Sequence, residues 1–274
     1  MSIQKETVML PMQVAEDFRA ECRAIHSLLA GLPDDRFAQP TLFKGWTTNA
    51  VLQHLAFWNG MACKQLDDES GLLAVLGTFR GYPGGMRAFE NDHFKGLGGQ
   101  ALLEVWRHSG ERTADLFLDA DPKRRLKWSG PDMSARSSIT ARLMETWAHA
   151  QAVYDHLGVI RRNGDGLRHI VALGANTYGW TFRNRGLEVP QPTPCLRLTL
   201  PSGEVLALGD DGQGERIAGP AEAFCQVVAQ TRHIADVMLQ VDGPNARAWM
   251  SMAQCFAGPP QDPPAPGSRG IRRG

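Results

Sequence analysis

The sequence predicts an α+β protein, with a helical bundle over residues 1–186, a small α/β domain over 187–258 and a disordered tail over 259–274. Three observations predict this order. Apolar residues recur at helical steps of three and four through the first two thirds of the chain. A strand-like alternation follows, and residues 258–274 then hold five prolines and four glycines, a composition that cannot form a packed core.

The bulk composition is that of a globular protein and excludes some classes of partner. The 274 residues include 29 basic and 29 acidic side chains, so no strong field recruits nucleic acid or an anionic membrane. The five cysteines are scattered, which indicates reduced thiols rather than a disulfide framework. The first residues lack the apolar run of a signal peptide, and no stretch approaches the ~20 apolar residues of a membrane span. We therefore expect a cytoplasmic protein without a nucleic-acid or membrane partner.

The predicted bundle consists of helices joined by moderate connections, an arrangement typical of antiparallel packing. Thr47 or Thr48 is a suitable N-cap for the second helix, and Gly158 is a suitable left-handed end for the central one. The glycine-rich stretch 67–100 is either a connector or a mobile lid over a site. The predicted helices cover residues 12–32, 47–66, 86–94, 100–118, 135–157 and 166–184.

The predicted C-terminal domain begins with a β-hairpin. Residues 195–200 alternate between apolar and polar, residues 201–203 (Pro-Ser-Gly) form a turn, and residues 205–208 return. Pro220 opens a helix that we expect to reach residue 239, because proline is favoured in the first turn. A last helix is expected over residues 244–256.

The central helix carries a carboxylate and an imidazole four residues apart, Glu145 and His149. Positions i and i+4 lie on one helix face with their Cβ atoms ~5–6 Å apart, so both side chains can bind one metal ion. Alanines flank this pair where a simple surface helix would carry charges, which favours a face turned to a small cavity. An exposed Glu–His pair of little energetic consequence fits the same spacing.

His54, in the second turn of the helix that follows Thr47, is the candidate third ligand. A single histidine among leucines and tryptophans is also typical of a hydrogen-bonded core residue. Residues 209–214 carry several glycines but lack the full dinucleotide-binding fingerprint, so a hairpin loop explains them better. No nucleophile elbow or phosphate-binding loop is present, and nothing local indicates a Ser-His-Asp or Cys-His arrangement.

Two segments together resemble the maleylpyruvate isomerase/DinB-like superfamily of metal-binding four-helix bundles. Gly45-Trp46-Thr47 followed by His54-Leu55-Ala56 resembles the start of its second helix, and residues 142–149 (RLMETWAH) resemble its second ligand motif. The similarity is greatest to an actinobacterial branch of largely uncharacterised proteins sometimes labelled wyosine base formation proteins. It extends through residues 130–134, 182–187 and 256–260, and so covers most of the chain.

The resemblance implies a divalent metal bound by His54, Glu145 and His149, with water or substrate completing the coordination. Two imidazoles and one carboxylate suit Zn²⁺, with Fe(II), Ni(II) or Mn(II) as alternatives. Metal-bound water or a thiol would be the reacting group, and characterised relatives use mycothiol for isomerisation and thiol transfer. The C-terminal part resembles the small sterol-carrier-like α/β domain of those isomerases.

Three functions follow as hypotheses. The first is a metal-dependent isomerase or transferase that uses mycothiol or another thiol on a small carbonyl-containing metabolite. The second is a thiol-independent metal-assisted isomerase, cyclase or hydrolase, and the third is a non-catalytic protein that binds a small apolar ligand. We expect a monomer or homodimer with a small-molecule substrate. Arginines that can hold a carboxylate, or be plain surface charges, are Arg80, Arg87 and Arg183, and aromatic residues expected near the site are Trp46, Trp58 and Trp147.

Overall fold

The structure is a computed structural model that describes residues 12–271. Residues 1–11, which the sequence predicts not to form a signal peptide, lie outside the described residues. Residues 272–274 of the predicted tail also lie outside them. Within residues 12–271, no helix is both long enough and apolar enough to cross a membrane.

The N-terminal part is a four-helix bundle, as predicted. Its long helices pack in the cyclic order α1, α6, α3, α7, and α2, α4 and α5 lie in the connections. The helices are α1 (Gln13–Leu29), α2 (Asp34–Phe37), α3 (Thr48–Asp67), α4 (Glu69–Phe79), α5 (Gly85–His93), α6 (Gly99–Leu118) and α7 (Ala135–Leu157). A short ladder of β1 (Arg125–Leu126) and β2 (Met133–Ser134) precedes α7.

The ends of α3 and α7 are set by local chemistry. The Thr47 hydroxyl accepts a hydrogen bond from the Ala50 amide at 3.1 Å and so caps α3. Ser134 caps α7 in the same way through the Ser137 amide. Gly158 ends α7 with φ of 71°, a left-handed conformation that a side chain would strain. The predicted range 135–157 and both predicted end signals, Thr47 and Gly158, are confirmed.

One hydrophobic core fills the bundle. Large side chains with almost no exposure meet there, among them Phe18, Leu55, Trp106 and Ile139. Burying a side chain of this size contributes ~1.5–3 kcal/mol. A smaller cluster joins Phe57 and Trp58 of α3 to Leu72 and Leu76 of α4, so α4 of the glycine-rich stretch is packed against the bundle.

The C-terminal part holds a four-stranded sheet with strand order β4-β3-β5-β6. The predicted hairpin is present as β3 and β4, and β5 lies parallel to β3. Its elements are α8 (Leu167–Asn176), α9 (Tyr178–Arg183), β3 (Cys195–Thr199), β4 (Val205–Leu208), β5 (Arg216–Pro220), α10 (Ala221–Val228), β6 (Gln240–Asp242) and α11 (Pro244–Met252).

Two predicted helices are shorter in the structure. The helix predicted over 166–184 is interrupted at Thr177, whose backbone leaves helical geometry with φ of −95° and ψ of 8°, so that α8 ends there. The helix predicted to reach residue 239 ends at Val228, because Gln230 adopts φ of 54°. The last helix ends at Met252 rather than at residue 256.

The second hydrophobic core begins earlier in the chain than the predicted boundary at residue 186. Leu167 and Ile170 of α8 and Tyr178 of α9 pack with the sheet, and Met144 and Trp147 of α7 belong to the same cluster. The structure therefore groups α8 and α9 with the sheet, and α7 serves both cores.

The tail over 259–271 is held by hydrogen bonds, which departs from the disorder expected for 259–274. Gln254 is buried, and its side chain accepts from the Gln261 amide at 2.9 Å and donates to the Pro259 carbonyl at 3.1 Å. Gln230 donates to the Gln261 carbonyl at 2.8 Å. Composition correctly indicates that the tail forms no core of its own, but it does not reveal these partners elsewhere in the chain.

Candidate metal centre

Glu145 and His149 lie on the face of α7 that is turned toward α3. The Glu145 Oε2 atom is 3.2 Å from His149 Nε2 and 3.7 Å from His54 Nε2. One donor atom from each of the three residues lies within 4.8 Å of the other two. The fold therefore brings together the three predicted ligands, although residues 54 and 145 are far apart in the sequence.

Antiparallel packing of α3 and α7 explains this convergence. Asn59, further along α3, meets Arg142, one turn earlier on α7, with Arg142 Nε donating to Asn59 Oδ1 at 3.3 Å. The next pair along is Gln65 with Ser138. His54 with Glu145 is thus the first of three polar pairs spaced along the α3–α7 interface.

His54 is oriented by a carboxylate that sequence reasoning missed. Glu90 of α5 is fully buried, and its Oε1 atom lies 2.8 Å from His54 Nδ1. The same oxygen accepts a hydrogen bond from Trp58 Nε1 at 3.0 Å, and Arg87 bonds the other oxygen. A histidine that donates Nδ1–H to a carboxylate presents Nε2 as a metal ligand, the arrangement common around protein-bound metals.

The sequence indicates that such a hydrogen-bond partner exists, but it does not indicate which residue it is. His54 and Trp58 are four residues apart on α3, so they share a face, and both need a hydrogen-bond partner once buried. Nothing in the sequence fixes which of the acids in the 67–100 stretch lies across from them.

The electrostatics of two of the three residues, Glu145 and His149, favour the protonation states of metal ligands. Burial alone would raise the pKa of Glu145, but hydrogen bonds from His149 and His54 outweigh burial and bring the pKa well below its usual range. Burial lowers the pKa of His149, against the opposing effect of Glu145. Burial would also lower the pKa of His54, but hydrogen bonds to Glu145 and Glu90 raise it. Near neutral pH, Glu145 is therefore ionised and His149 neutral.

These residues fit a divalent cation. When His54 is neutral and donates Nδ1–H to Glu90, its Nε2 lone pair faces the Glu145 carboxylate, and a cation or a proton between these two acceptors removes their repulsion. Two imidazoles and one carboxylate are also the donor set of open zinc sites. The set can therefore hold one cation and leave a position for water or a ligand.

Aromatic rings enclose the imidazole of His149. Trp46 is stacked on it, with ring centroids 5.3 Å apart and planes 7° apart. Phe43 contacts it edge-on at 5.1 Å. The turn that presents both rings requires left-handed backbone at Gly45, with φ of 70°, which favours glycine there.

The other predicted site residues divide into near and distant ones. Arg87 lies at the site, 4.5 Å above the Trp46 ring and bonded to Glu90, whereas the side chains of Arg80 and Arg183 are exposed. Trp46 and Trp58 border the site as expected. Trp147 does not, because it belongs to the second core and donates to Asn163 at 2.8 Å.

Comparison with known proteins yields one family and a consistent fold. A family described as the mycothiol maleylpyruvate isomerase N-terminal domain matches residues 18–154, which include most of the bundle and all three candidate ligands. An uncharacterised protein of Mycobacterium tuberculosis strain CDC 1551 is 36% identical over 250 residues, covering 91% of this chain and 97% of that protein. An uncharacterised protein of strain H37Rv matches to the same extent, at 36% identity.

Two solved structures share the fold. The crystal structure of mycothiol-dependent maleylpyruvate isomerase aligns with a TM-score of 0.55 at 16% identity, covering 84% of this chain and 91% of that one. A mutant of that isomerase aligns with a TM-score of 0.53 at 18% identity, over 83% and 92% of the two chains. Each alignment covers more than four fifths of this chain, so the α+β fold class predicted from the sequence is confirmed.

Proposed function

The chain belongs to the mycothiol maleylpyruvate isomerase family, and from that membership we propose that it is a divalent-metal-dependent enzyme using mycothiol, or another small thiol, on a carbonyl-containing metabolite. The reaction class is isomerisation or thiol transfer. The observation that carries the proposal is the convergence of His54, Glu145 and His149, whose donor atoms lie within 4.8 Å of one another.

The proposed ligands are His54 Nε2, His149 Nε2 and a Glu145 oxygen. Zn²⁺ is the first candidate for this donor set, with Fe(II), Ni(II) and Mn(II) as alternatives. When bound, such an ion supplies a Lewis acid that can polarise a carbonyl or lower the pKa of a thiol or water.

The surrounding residues hold this arrangement in place. Glu90 fixes the orientation of the His54 ring through Nδ1, and Trp58 and Arg87 fix Glu90 in turn. Trp46 and Phe43 cover the His149 ring and exclude water from that side. Pre-oriented ligands in a partly closed site reduce the reorganisation that a reaction requires.

Elemental analysis of protein purified without chelators or a metal-supplying tag tests the metal. We expect about one equivalent of a divalent metal per chain. His54→Ala should lose most of that metal, whereas His108→Ala, which changes an exposed histidine of α6, should retain it. Wild-type protein without metal, or His54→Ala with full metal content, would count against the proposal.

Turnover tests the chemistry. Maleylpyruvate, with and without mycothiol, is the first substrate to assay, because the family is named after it. Activity that requires both thiol and metal supports the proposal, and activity that survives complete metal removal contradicts it. Metal-dependent turnover without thiol would favour the thiol-independent hydrolase or isomerase. A bound apolar ligand without metal or turnover would favour a binding protein.

A further inference from the structure

A cleft beside the candidate metal centre lies between the bundle and the C-terminal part. Phe43 and Ala148 place it next to His149, since the Phe43 ring contacts the His149 ring at 5.1 Å. The cleft has a volume of about 240 Å³ including its open mouth, and inside it there is room for about one water molecule. A ligand group would therefore bind at the mouth. The lining residues are Leu42, Phe43, Ala148, Gln151, Ala152, Asp155, Thr231, Arg232 and Arg269.

Two cations, Arg232 and Arg269, line this cleft together with the carboxylate of Asp155, and a third cation, Lys44, lies beside the lining residue Phe43. Arg232 is paired with that carboxylate, donating to Asp155 at 2.6 Å. Lys44 and Arg269 have no carboxylate within 4.0 Å among residues 12–271. Lys44 Nζ donates to Gln261 Oε1 at 2.9 Å, and Arg269 Nη1 donates to the Gln230 carbonyl at 2.7 Å. Both acceptors are neutral, so two positive charges at the mouth are not balanced by an ion pair.

The two unbalanced cations are held at one aromatic ring. Lys44 Nζ lies 5.5 Å from the centroid of Phe43, and Arg269 Cζ lies 4.9 Å from it. Burial lowers the pKa of Lys44 and the charge of Arg269 lowers it further. Burial, and then the charge of Arg232, likewise lower the pKa of Arg269, against the opposing effect of Asp155. Like charges held close together cost free energy, and an anion bound between them would remove that cost.

We propose that Lys44 and Arg269 form an anion-binding site for a carboxylate of the ligand. The planar fork of an arginine matches a planar carboxylate, and the lysine supplies a second, mobile charge. The position beside His149 would let one ligand place its carboxylate here and its reacting carbon at the proposed metal centre. That link to the reaction rests on the proposed function, whereas the anion site itself does not.

The C-terminal tail is part of this site. Gln261 is held by the side chains of Gln230 and Gln254, and from there the chain runs on to Arg269. The Gly267 amide donates to both carboxylate oxygens of Asp236, at 2.9 and 3.0 Å, which fixes the backbone just before Arg269. The tail is thus fixed where it must be to present Arg269 to the cleft.

Titration calorimetry with maleate tests the site, using full-length protein both as purified and after metal removal by dialysis against a chelator. We expect maleate to bind both forms, and Lys44→Ala and Arg269→Ala each to weaken binding about tenfold, the effect of one charge-assisted hydrogen bond. Arg269→Lys, which keeps the charge but not the planar fork, should weaken binding less than Arg269→Ala does. Lys123→Ala should change nothing, because Lys123 is an exposed cation near the opposite end of α7.

The neutral diamide of maleic acid separates charge recognition from shape. It should bind more weakly than maleate and show no difference between wild type and Arg269→Ala. Equal maleate affinity in wild type, Lys44→Ala and Arg269→Ala would overturn the proposal, as would absence of maleate binding. Because metal-free protein is included, an absent metal centre would refute the proposed function and leave the anion result interpretable.

Discussion

Glu90 Oε1 lies 2.8 Å from His54 Nδ1, which leaves the opposite nitrogen of the ring facing Glu145. A helix from the glycine-rich stretch thereby determines the orientation of a proposed metal ligand on a different helix. The stretch that the sequence presents as a connector or a lid is, at α5, part of the support of the site.

Glu90→Gln tests this support. The substitution keeps the size of the side chain but removes the negative charge and one of the two acceptor oxygens, so the His54 ring loses basicity and is held less firmly. Metal affinity should fall about 10- to 100-fold, the range found for partners of this kind. Competition with a chromophoric chelator measures it. Glu69→Gln, at an exposed position at the start of α4, is the control. Unchanged affinity in Glu90→Gln would show that Glu90 serves only packing.

His169 should make stability depend on pH near neutrality. Its Nε2 lies 2.8 Å from Asp17 across the α1–α8 contact, and burial lowers its pKa below 6.5 despite the opposing effect of Asp17. The folded protein therefore binds fewer protons than the unfolded chain as pH falls below that value. The contribution of His169 to the free energy of unfolding is therefore fully present above about pH 6.5. It is lost as pH falls through the pKa of His169 in the folded protein.

The measurement is urea unfolding of wild type and His169→Gln at about pH 7.5 and pH 5. The difference in free energy of unfolding, wild type minus His169→Gln, should be larger at the higher pH. His108→Gln, at an exposed histidine, should show no such difference. A wild-type advantage that grows as pH falls would mean that the imidazolium–Asp17 pair outweighs burial.

Gly174 is required by close packing between α8 and α10. A Cβ at this position would lie 2.8 Å from the Phe224 ring and 3.0 Å from Val228 Cγ2. Gly174→Ala should therefore reduce the free energy of unfolding by about 1–3 kcal/mol, the usual cost of overpacking. Gly77→Ala is the matched change, since nothing lies within 4 Å of a Cβ there, and it should stabilise α4 by up to about 1 kcal/mol. Thermal and urea unfolding measure both, and a stabilising Gly174→Ala would contradict the packing argument.

Local signals predicted the parts of the fold that local chemistry determines. Thr47 and Gly158 mark helix ends through their own hydrogen bonds and backbone, and the hairpin of β3 and β4 follows from alternation. The meeting of His54 with Glu145 and His149 was expected from the resemblance to a known bundle, because spacing alone fits an exposed pair equally well.

Features that depend on distant partners were not predictable from local pattern. Glu90 lies on a helix whose placement relative to α3 is set by packing. The break at Thr177 is a local change of backbone geometry, and the apolar pattern that continues on both sides of it does not indicate it. The tail is held by the buried side-chain amides of Gln254 and Gln230. No property of residues 259–271 alone indicates these two hydrogen-bond partners.

The helix α7 serves two cores, because Met144 and Trp147 pack with the C-terminal part while Glu145, between them in the sequence, faces the proposed metal. The two parts of the chain are therefore not interchangeable modules. A chimera that grafts a different C-terminal part onto this bundle would have to refit positions 144 and 147, and any poor fit there would shift the backbone that carries Glu145. Exchange of C-terminal parts among relatives is thus constrained at a helix that also carries two of the three proposed metal ligands.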